Sequence, residues 1–230
     1  MVTTLYLIRH GETEGSEHKR YKGSIDVPLS ARGISQVEKA SEFVAAHVRD
    51  YAPKRHLSYL RDIHSSSSEV ADSRDDRLKA VYTSDLGRAV KSAELIAAPH
   101  GVLPLQVPGL RERSFGIWEG MSFAEIKEQY PEEFSAWAGN PLKYSPVRGE
   151  STLEVRDRVI AALEAILSGH PGDCLAVVAH GGVNRIILCH VMGVPLENIF
   201  RIEQDFSAVN VIEFWDKYPV VKLMNGGMLR

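Results

Sequence analysis

Residues 5–13, LYLIRHGET, and residues 175–182, LAVVAHGG, repeat one pattern: a run of strand-forming apolar residues that stops at His-Gly. Unbroken apolar runs of this kind suit strands buried on both faces, as in a sheet covered by helices. In open α/β sheets, ligands bind beyond the carboxyl ends of the strands, above all where neighbouring connections leave toward opposite faces. Two strands that end on His10 and His180 therefore predict one crevice holding two imidazoles. A glycine after each histidine lets the backbone approach a ligand with no Cβ in between. A helix opening after Gly182 would also aim unpaired N–H groups at an anion. An oxyanion is the expected guest.

The rest of the chain supplies the layers that such a sheet needs. Residues 3–9, 79–83, 103–107, 174–179 and 208–214 read as strands. Ile34, Val37, Ser41, Val44 and Val48 fall at helical spacing, as do Val155, Val159, Ala162, Leu163 and Ile166. Ser151 with Glu154, and Ser122 with Glu125, match the reciprocal cap that opens a helix. The alternation predicts an α/β fold, a three-layer αβα sandwich on a mostly parallel central sheet. Residues 208–223, with a turn at Trp215–Pro219, are expected to add an antiparallel edge. At 230 residues the chain reads as a single domain, 1–230, with one break in rhythm. The polar, serine-rich stretch 51–77 reads as an insertion, a solvated excursion more than a lid or partner surface.

Composition narrows the search to a local site. The 44% hydrophobic and 25% charged residues are those of a folded globular chain, and a net charge of −3 provides no general attraction for nucleic acid or an anionic membrane. Cys174 and Cys189 stand in apolar runs without CxxC spacing and read as buried thiols. The opening MVTTLYLIRHG lacks the basic start and long apolar stretch of a secretory signal, and no run reaches membrane-span length. A cytoplasmic protein is expected.

Arg9 beside His10 argues against a metal centre, because it would repel a cation; no HxH or HExxH spacing appears either. Neither metal nor cofactor is expected. A phosphoryl group calls for planar guanidiniums, and Arg9 and Arg88, the latter in the first turn of a helix after the strand ending at Thr83, could supply them. His18, His47, His56, His64, His100, His170 and His190 read as packed or surface residues. Trp118, Phe123, Tyr130 and Trp137 fit core packing at helical spacing better than stacking on a ligand ring.

Six ordered blocks carry a resemblance: RHGET at 9–13, RYKGSIDVPLSARGISQ at 20–36, YTSDLGRAVKSAE at 82–94, LRERSFGIWEG at 110–120, GES at 149–151 and AHGG at 179–182. Together they resemble the histidine phosphatase superfamily, which includes the cofactor-dependent phosphoglycerate mutases. The resemblance implies a phosphoglycerate mutase-like fold, His10 as the nucleophile that becomes phosphohistidine, a phosphate pocket of Arg9, Arg88 and His180, and Glu112 as proton donor. It also implies phosphate or substrate contacts from Gly11, Arg20, Gly23, Gly181 and the mutase-like Arg113. Ser16 stands where the family often has asparagine, and its hydroxyl is shorter with a single donor. Residue types alone do not choose Glu112 over Glu12, Glu119 or Glu150.

The chemistry is consistent with these residue types. A neutral imidazole attacks phosphorus, and Arg9, Arg88 and a protonated His180 are expected to keep it neutral while neutralising the phosphoryl oxygens. The compact segment after Glu112 resembles the phosphatase branch, including alpha-ribazole phosphatases, more than the mutases. The expected function is metal-independent hydrolysis of a small phosphorylated metabolite. A phosphoglycerate mutase and a non-catalytic phospho-ligand binder are the alternatives. The sequence does not settle oligomeric state, a homodimer being the assembly considered.

Overall fold

The computed structural model describes residues 2–50 and 77–227. The stretch expected as an insertion, 51–77, lies outside the described residues except for its last position. The strands are β1 (Thr3–Arg9), β2 (Ala80–Thr83), β3 (Pro104–Gln106), β4 (Cys174–Ala179), β5 (Val209–Phe214) and β6 (Pro219–Gly226). Among the described residues they form a sheet in the order β3-β2-β4-β1-β5-β6. The first four in this order pair in parallel; β5 and β6 add the antiparallel edge.

Alternation along the central strands decides the layers. Leu5, Leu7, Leu175 and Val177 enter one core, with Val155, Val159 and Leu163 of α5 (Thr152–Ser168) and Val183 and Ile187 of α6 (Gly181–Met192). Tyr6, Ile8, Ala176 and Val178 enter the other, with Val37, Ala40 and Val44 of α1 (Ala31–Asp50) and Ala93 and Ile96 of α2 (Gly87–Ala97). The protein is thus a three-layer αβα sandwich with β1 and β4 buried at its centre. Two short helices, α3 (Phe123–Gln129) and α4 (Pro131–Gly139), stand between the sheet strands and α5 in the chain.

Local chemistry sets the helix boundaries. The Ser122 and Ser151 side chains each accept from the N–H three residues on, and Glu125 and Glu154 return the bond to the cap residue. Gly193, at φ 65°, ends α6 in the left-handed conformation that costs other residues more. Ile34 departs from its expected place on the inner face of α1: it is 36% exposed, because it lies in the first turn, before Val37 reaches the sheet. Cys189 is buried, whereas Cys174, at the start of β4, is only half-buried.

The connections leave β1 and β4 in opposite directions. β1 leads to α1 on one face, and the neighbouring β4 leads to α6 on the other. This divergence opens a crevice at their carboxyl ends. The packing predicts a contrast in stability: Leu163→Ala should cost about 3 kcal/mol, whereas Ile34→Ala should change stability by less than about 0.5 kcal/mol. Chemical denaturation of the two variants checks it, and equal losses would contradict the assigned core.

Candidate active site

The parallel register of β1 and β4 sets Arg9 opposite Ala179, and the His10 N–H donates to the Ala179 carbonyl at 3.0 Å. The two imidazoles that follow meet with ring centres 5.1 Å apart at 63°. His10 is 6% exposed and His180 fully buried. The Nδ1 atom of His10 lies 2.7 Å from the Gly11 carbonyl. A carbonyl only accepts, so Nδ1 carries the proton and Nε2 of the neutral ring keeps its lone pair. Burial, then the charges of Arg9 and Arg88, hold the ring well below the ordinary histidine value of 6.5. His10 is therefore neutral at physiological pH with one nitrogen open to a ligand.

A polar cavity of about 420 Å³ is bordered by His10, Arg9, Arg88, Ser16, Arg20, Glu112 and Gly181, with Lys19 and Lys22 on its wall. Among the described residues, five cations and one carboxylate border it, so a chain of net negative charge has a local positive basin. Arg9 crosses the Phe206 ring at 3.9 Å and donates to the Gln204 carbonyl. Burial, then Arg185, pushes its pKa down to about 10, which leaves it charged. Its Nε and the Nδ1 of His180 are buried with no hydrogen-bond partner among the described residues. An oxyanion would satisfy both.

Arg88 borders the cavity while three of its five N–H groups are bonded to the carbonyls of Lys22, Gly23 and Ile25. It thus fastens the 22–25 loop to α2, with Nη1 also 3.9 Å from Asp26 Oδ1, and two of its N–H groups lie outside the three carbonyl bonds. Gly23, expected as a phosphate contact, is not on the cavity wall; a Cβ there would collide with the Arg113 carbonyl and with Glu119, so its smallness lets the loop pack on the 113–119 segment. Arg20 stands on the cavity wall in a two-pronged bond with Glu125 of α3, at 2.8 and 2.9 Å. Ser16 also borders the cavity, but its hydroxyl closes a turn onto Thr13, donating to the carbonyl at 2.7 Å and accepting from the N–H at 3.2 Å.

Two expectations need correction, and a third is refined. Gly11 is small because α1 packs on it: a Cβ would strike the Gly33 carbonyl and Val37. Its service is to packing, not to a closer ligand. His180 is not protonated at neutral pH, since burial first, then competition with the adjoining His10 for a proton and the charges of Arg88 and Arg9, hold it well below 6.5. Arg113 borders, with Glu112, a neighbouring apolar cavity rather than the polar one; its guanidinium donates to the Glu150 carbonyl, Thr152 Oγ1 and the Tyr144 carbonyl.

The helix end is also occupied differently. α6 opens at Gly181, two residues earlier than expected, and the N–H of Gly182 donates to Glu112 Oε2 at 3.0 Å, while Glu112 Oε1 accepts from the Arg113 N–H at 2.9 Å. The anion at this terminus is the chain's own carboxylate. A Cβ on Gly182 would lie 2.5 Å from Glu112 Oε1, so the second glycine of AHGG makes room for Glu112. The other carboxylates are engaged elsewhere. Glu12 bonds Ser30, Glu119 holds the N–H groups of Ser24 and Phe115, and Glu150 pairs with Arg158.

Two contributors had no sequence signal. Ser84 lies 2.7 Å from His180 Nε2 and fixes that ring. Arg158 reaches from α5 to the carbonyls of Gly109, Arg111 and Glu112 and so holds the segment that carries Glu112. Among the described residues no group of three or more His, Cys, Asp or Glu could hold a metal ion. Nor is any described helix long and apolar enough to cross a membrane.

Known proteins resemble this chain in sequence and in fold. Phosphoserine phosphatase 1 of Hydrogenobacter thermophilus is 27% identical over 221 residues, covering 96% of this chain and 91% of that protein. A metal-independent phosphoserine phosphatase of Arabidopsis thaliana is 32% identical over 194 residues, covering 83% and 69%. The crystal structure of the alpha-ribazole phosphatase from Shigella flexneri superposes with a TM-score of 0.78 at 23% identity, covering 99% of this chain and 98% of that one, which shows a shared fold. The family model of the histidine phosphatase superfamily (branch 1) matches residues 5–61 and 65–226, and with the paired histidines at the sheet's switch point it establishes that the chain belongs to that superfamily.

Proposed function

We propose that the chain hydrolyses small phosphomonoesters with His10 as the nucleophile. The observation that carries this reading is the His10 Nδ1 bond to the Gly11 carbonyl, which leaves an uncharged Nε2 beside the guanidiniums of Arg9 and Arg88. Nε2 attacks phosphorus, the ester P–O bond breaks, and the leaving oxygen takes a proton from Glu112. Water then attacks the phosphohistidine, gives its proton to the Glu112 carboxylate, and phosphate departs with Nε2 restored. Arg9 Nε, the remaining donors of Arg88 and Nδ1 of His180 gather the three equatorial oxygens as charge shifts through the transition state.

For His180 to donate through Nδ1, its Nε2 must accept, so the Ser84 hydroxyl donates to it. Ser84 is then a positioning residue. The cations supply the charge neutralisation that a metal supplies in other phosphoryl-transfer sites. The relatives named as phosphoserine and alpha-ribazole phosphatases support a small phosphorylated metabolite as the substrate. A cytoplasmic setting belongs to the same proposal, and the free thiols of Cys174 and Cys189 are in keeping with it.

Steady-state phosphate release tests these roles. His10→Ala should lose at least about 10³-fold in kcat/KM, and native activity should persist in a chelator; a fully active variant would overturn the assignment. Glu112→Gln should lose about 10²–10⁴-fold on an alkyl phosphate, whose leaving oxygen needs a proton, and much less on 4-nitrophenyl phosphate, whose leaving group does not. Equal losses on the two esters would remove Glu112 from the proton-transfer role.

The pH profile follows from the sign of the His10 shift. Protonation silences the nucleophile, and its pKa is lowered from 6.5, so the neutral fraction stays high through mildly acid solution. With the substrate's own ionisation near about 6 divided out, kcat/KM at pH about 5.5 should stay within about twofold of its value at pH about 7. An inactivating step centred on the ordinary histidine value would contradict the burial argument.

A further inference from the structure

A second cavity, of about 170 Å³, adjoins the phosphate pocket. Its wall is largely aromatic and aliphatic: Trp118, Phe123, Ile126, Phe134, Trp137 and Ile199 border it. The rings form one packed set. Phe123 meets Phe134 edge-on at 4.9 Å, Phe134 meets Trp137 at 5.7 Å, and Trp118 meets Trp137 edge-on at 6.5 Å. Of the four aromatic residues expected as plain core, Trp118, Phe123 and Trp137 line this cavity and Tyr130 does not border it.

Tyr21, Glu112 and Phe115 border both cavities. Glu112 therefore stands where the two spaces meet. The oxygen that it protonates must lie within hydrogen-bond reach of it, and the phosphoryl group lies on the cationic side. The carbon skeleton attached to that oxygen then extends into the apolar side.

The wall also says what that skeleton is not. Arg113 is the cation that borders this cavity among the described residues, and it is turned to Glu150, Thr152 and Tyr144. Thr152 Oγ1, which accepts from Arg113, donates to the Pro141 carbonyl. A carboxylate or ammonium on the leaving alcohol would lose water and find few groups to replace it. A dry apolar space of about 150 Å³ holds a benzene-sized ring, which matches the volume here.

We propose that this cavity is the leaving-group subsite and that it takes an uncharged alcohol bearing a single apolar ring, so that the preferred substrates are arylalkyl phosphomonoesters. The proposal rests on the phosphatase reading above and goes beyond it in naming the alcohol. No new bond chemistry is involved; the ring is held while the P–O bond breaks and the alcohol leaves with the Glu112 proton.

The test compares 2-phenylethyl phosphate with ethyl phosphate, which share a primary alkoxide leaving group and differ by the ring, and includes O-phosphoserine. We expect kcat/KM for the phenylethyl ester to exceed both others by at least about 30-fold, from burial of the ring. Trp137→Ala, in half-buried α4 outside the sheet core, should lower the phenylethyl-to-ethyl ratio at least about fivefold. Phe200→Ala, 75% exposed on the cavity rim, serves if that variant does not fold. Turnover of all three esters with ratios near one, a preference for O-phosphoserine, or a ratio unmoved in the folded variants would overturn the subsite and leave the phosphatase reading standing. Hydrolysis of none of the three would bring down both.

Discussion

The bond from the His10 amide to the Ala179 carbonyl, the last rung between β1 and β4, is the constraint on which the site depends. A slip of one residue in that register would turn each side chain to the opposite face and exchange the two cores. Both strands are buried on both sides, so such a slip would also expose or overfill whole layers. The pairing is therefore strongly specified, and it delivers His10 and His180 to the same crevice as a by-product of core packing. Catalytic geometry here is inherited from the sheet.

Around that rung the chain accepts electrostatic cost. Arg9, Arg88, His10 and His180 are each shifted by burial toward the uncharged form, and two of their nitrogens lack a partner among the described residues. Buried groups left in this way destabilise a fold unless a ligand completes them. A phosphate ester brings the complementary charge and acceptors, so the site is arranged for its bound state. The two imidazoles remain neutral first because they are buried and then because cations surround them, and the carboxylate on the cavity wall, Glu112, is held by backbone N–H groups of Gly182 and Arg113.

Much of this was legible in the sequence, for identifiable reasons. The strand-then-His-Gly repeat is a local signal whose meaning depends only on sheet topology, and the layers, the antiparallel edge and both reciprocal helix caps were readable from period and capping chemistry. Glu112 was reachable only through the resemblance, since a lone acid carries no pattern of its own, whereas Arg88 was a candidate from its place in the first turn after a strand and gained its role from the resemblance. The packing role of Gly11 and the bonds that hold Arg113 were not legible because their partners, Gly33 and the 144–152 segment, come near only in the folded chain. Ser84 and Arg158 were missed for the same reason: each acts across a long sequence separation. The aromatic residues at 118–137 have helical spacing whether they fill a core or wall a cavity, so periodicity could not separate the two.

The central claim is that Nε2 of His10 accepts the phosphoryl group because Nδ1 is held by the Gly11 carbonyl. The most direct measurement is acid-free quenching of a single turnover, followed by mass-spectrometric mapping of the phosphorylated peptide and chromatographic separation of the two phosphohistidine isomers. The account predicts the Nε2-linked isomer at position 10. Phosphate on Nδ1, on another residue, or on no residue during turnover would contradict it.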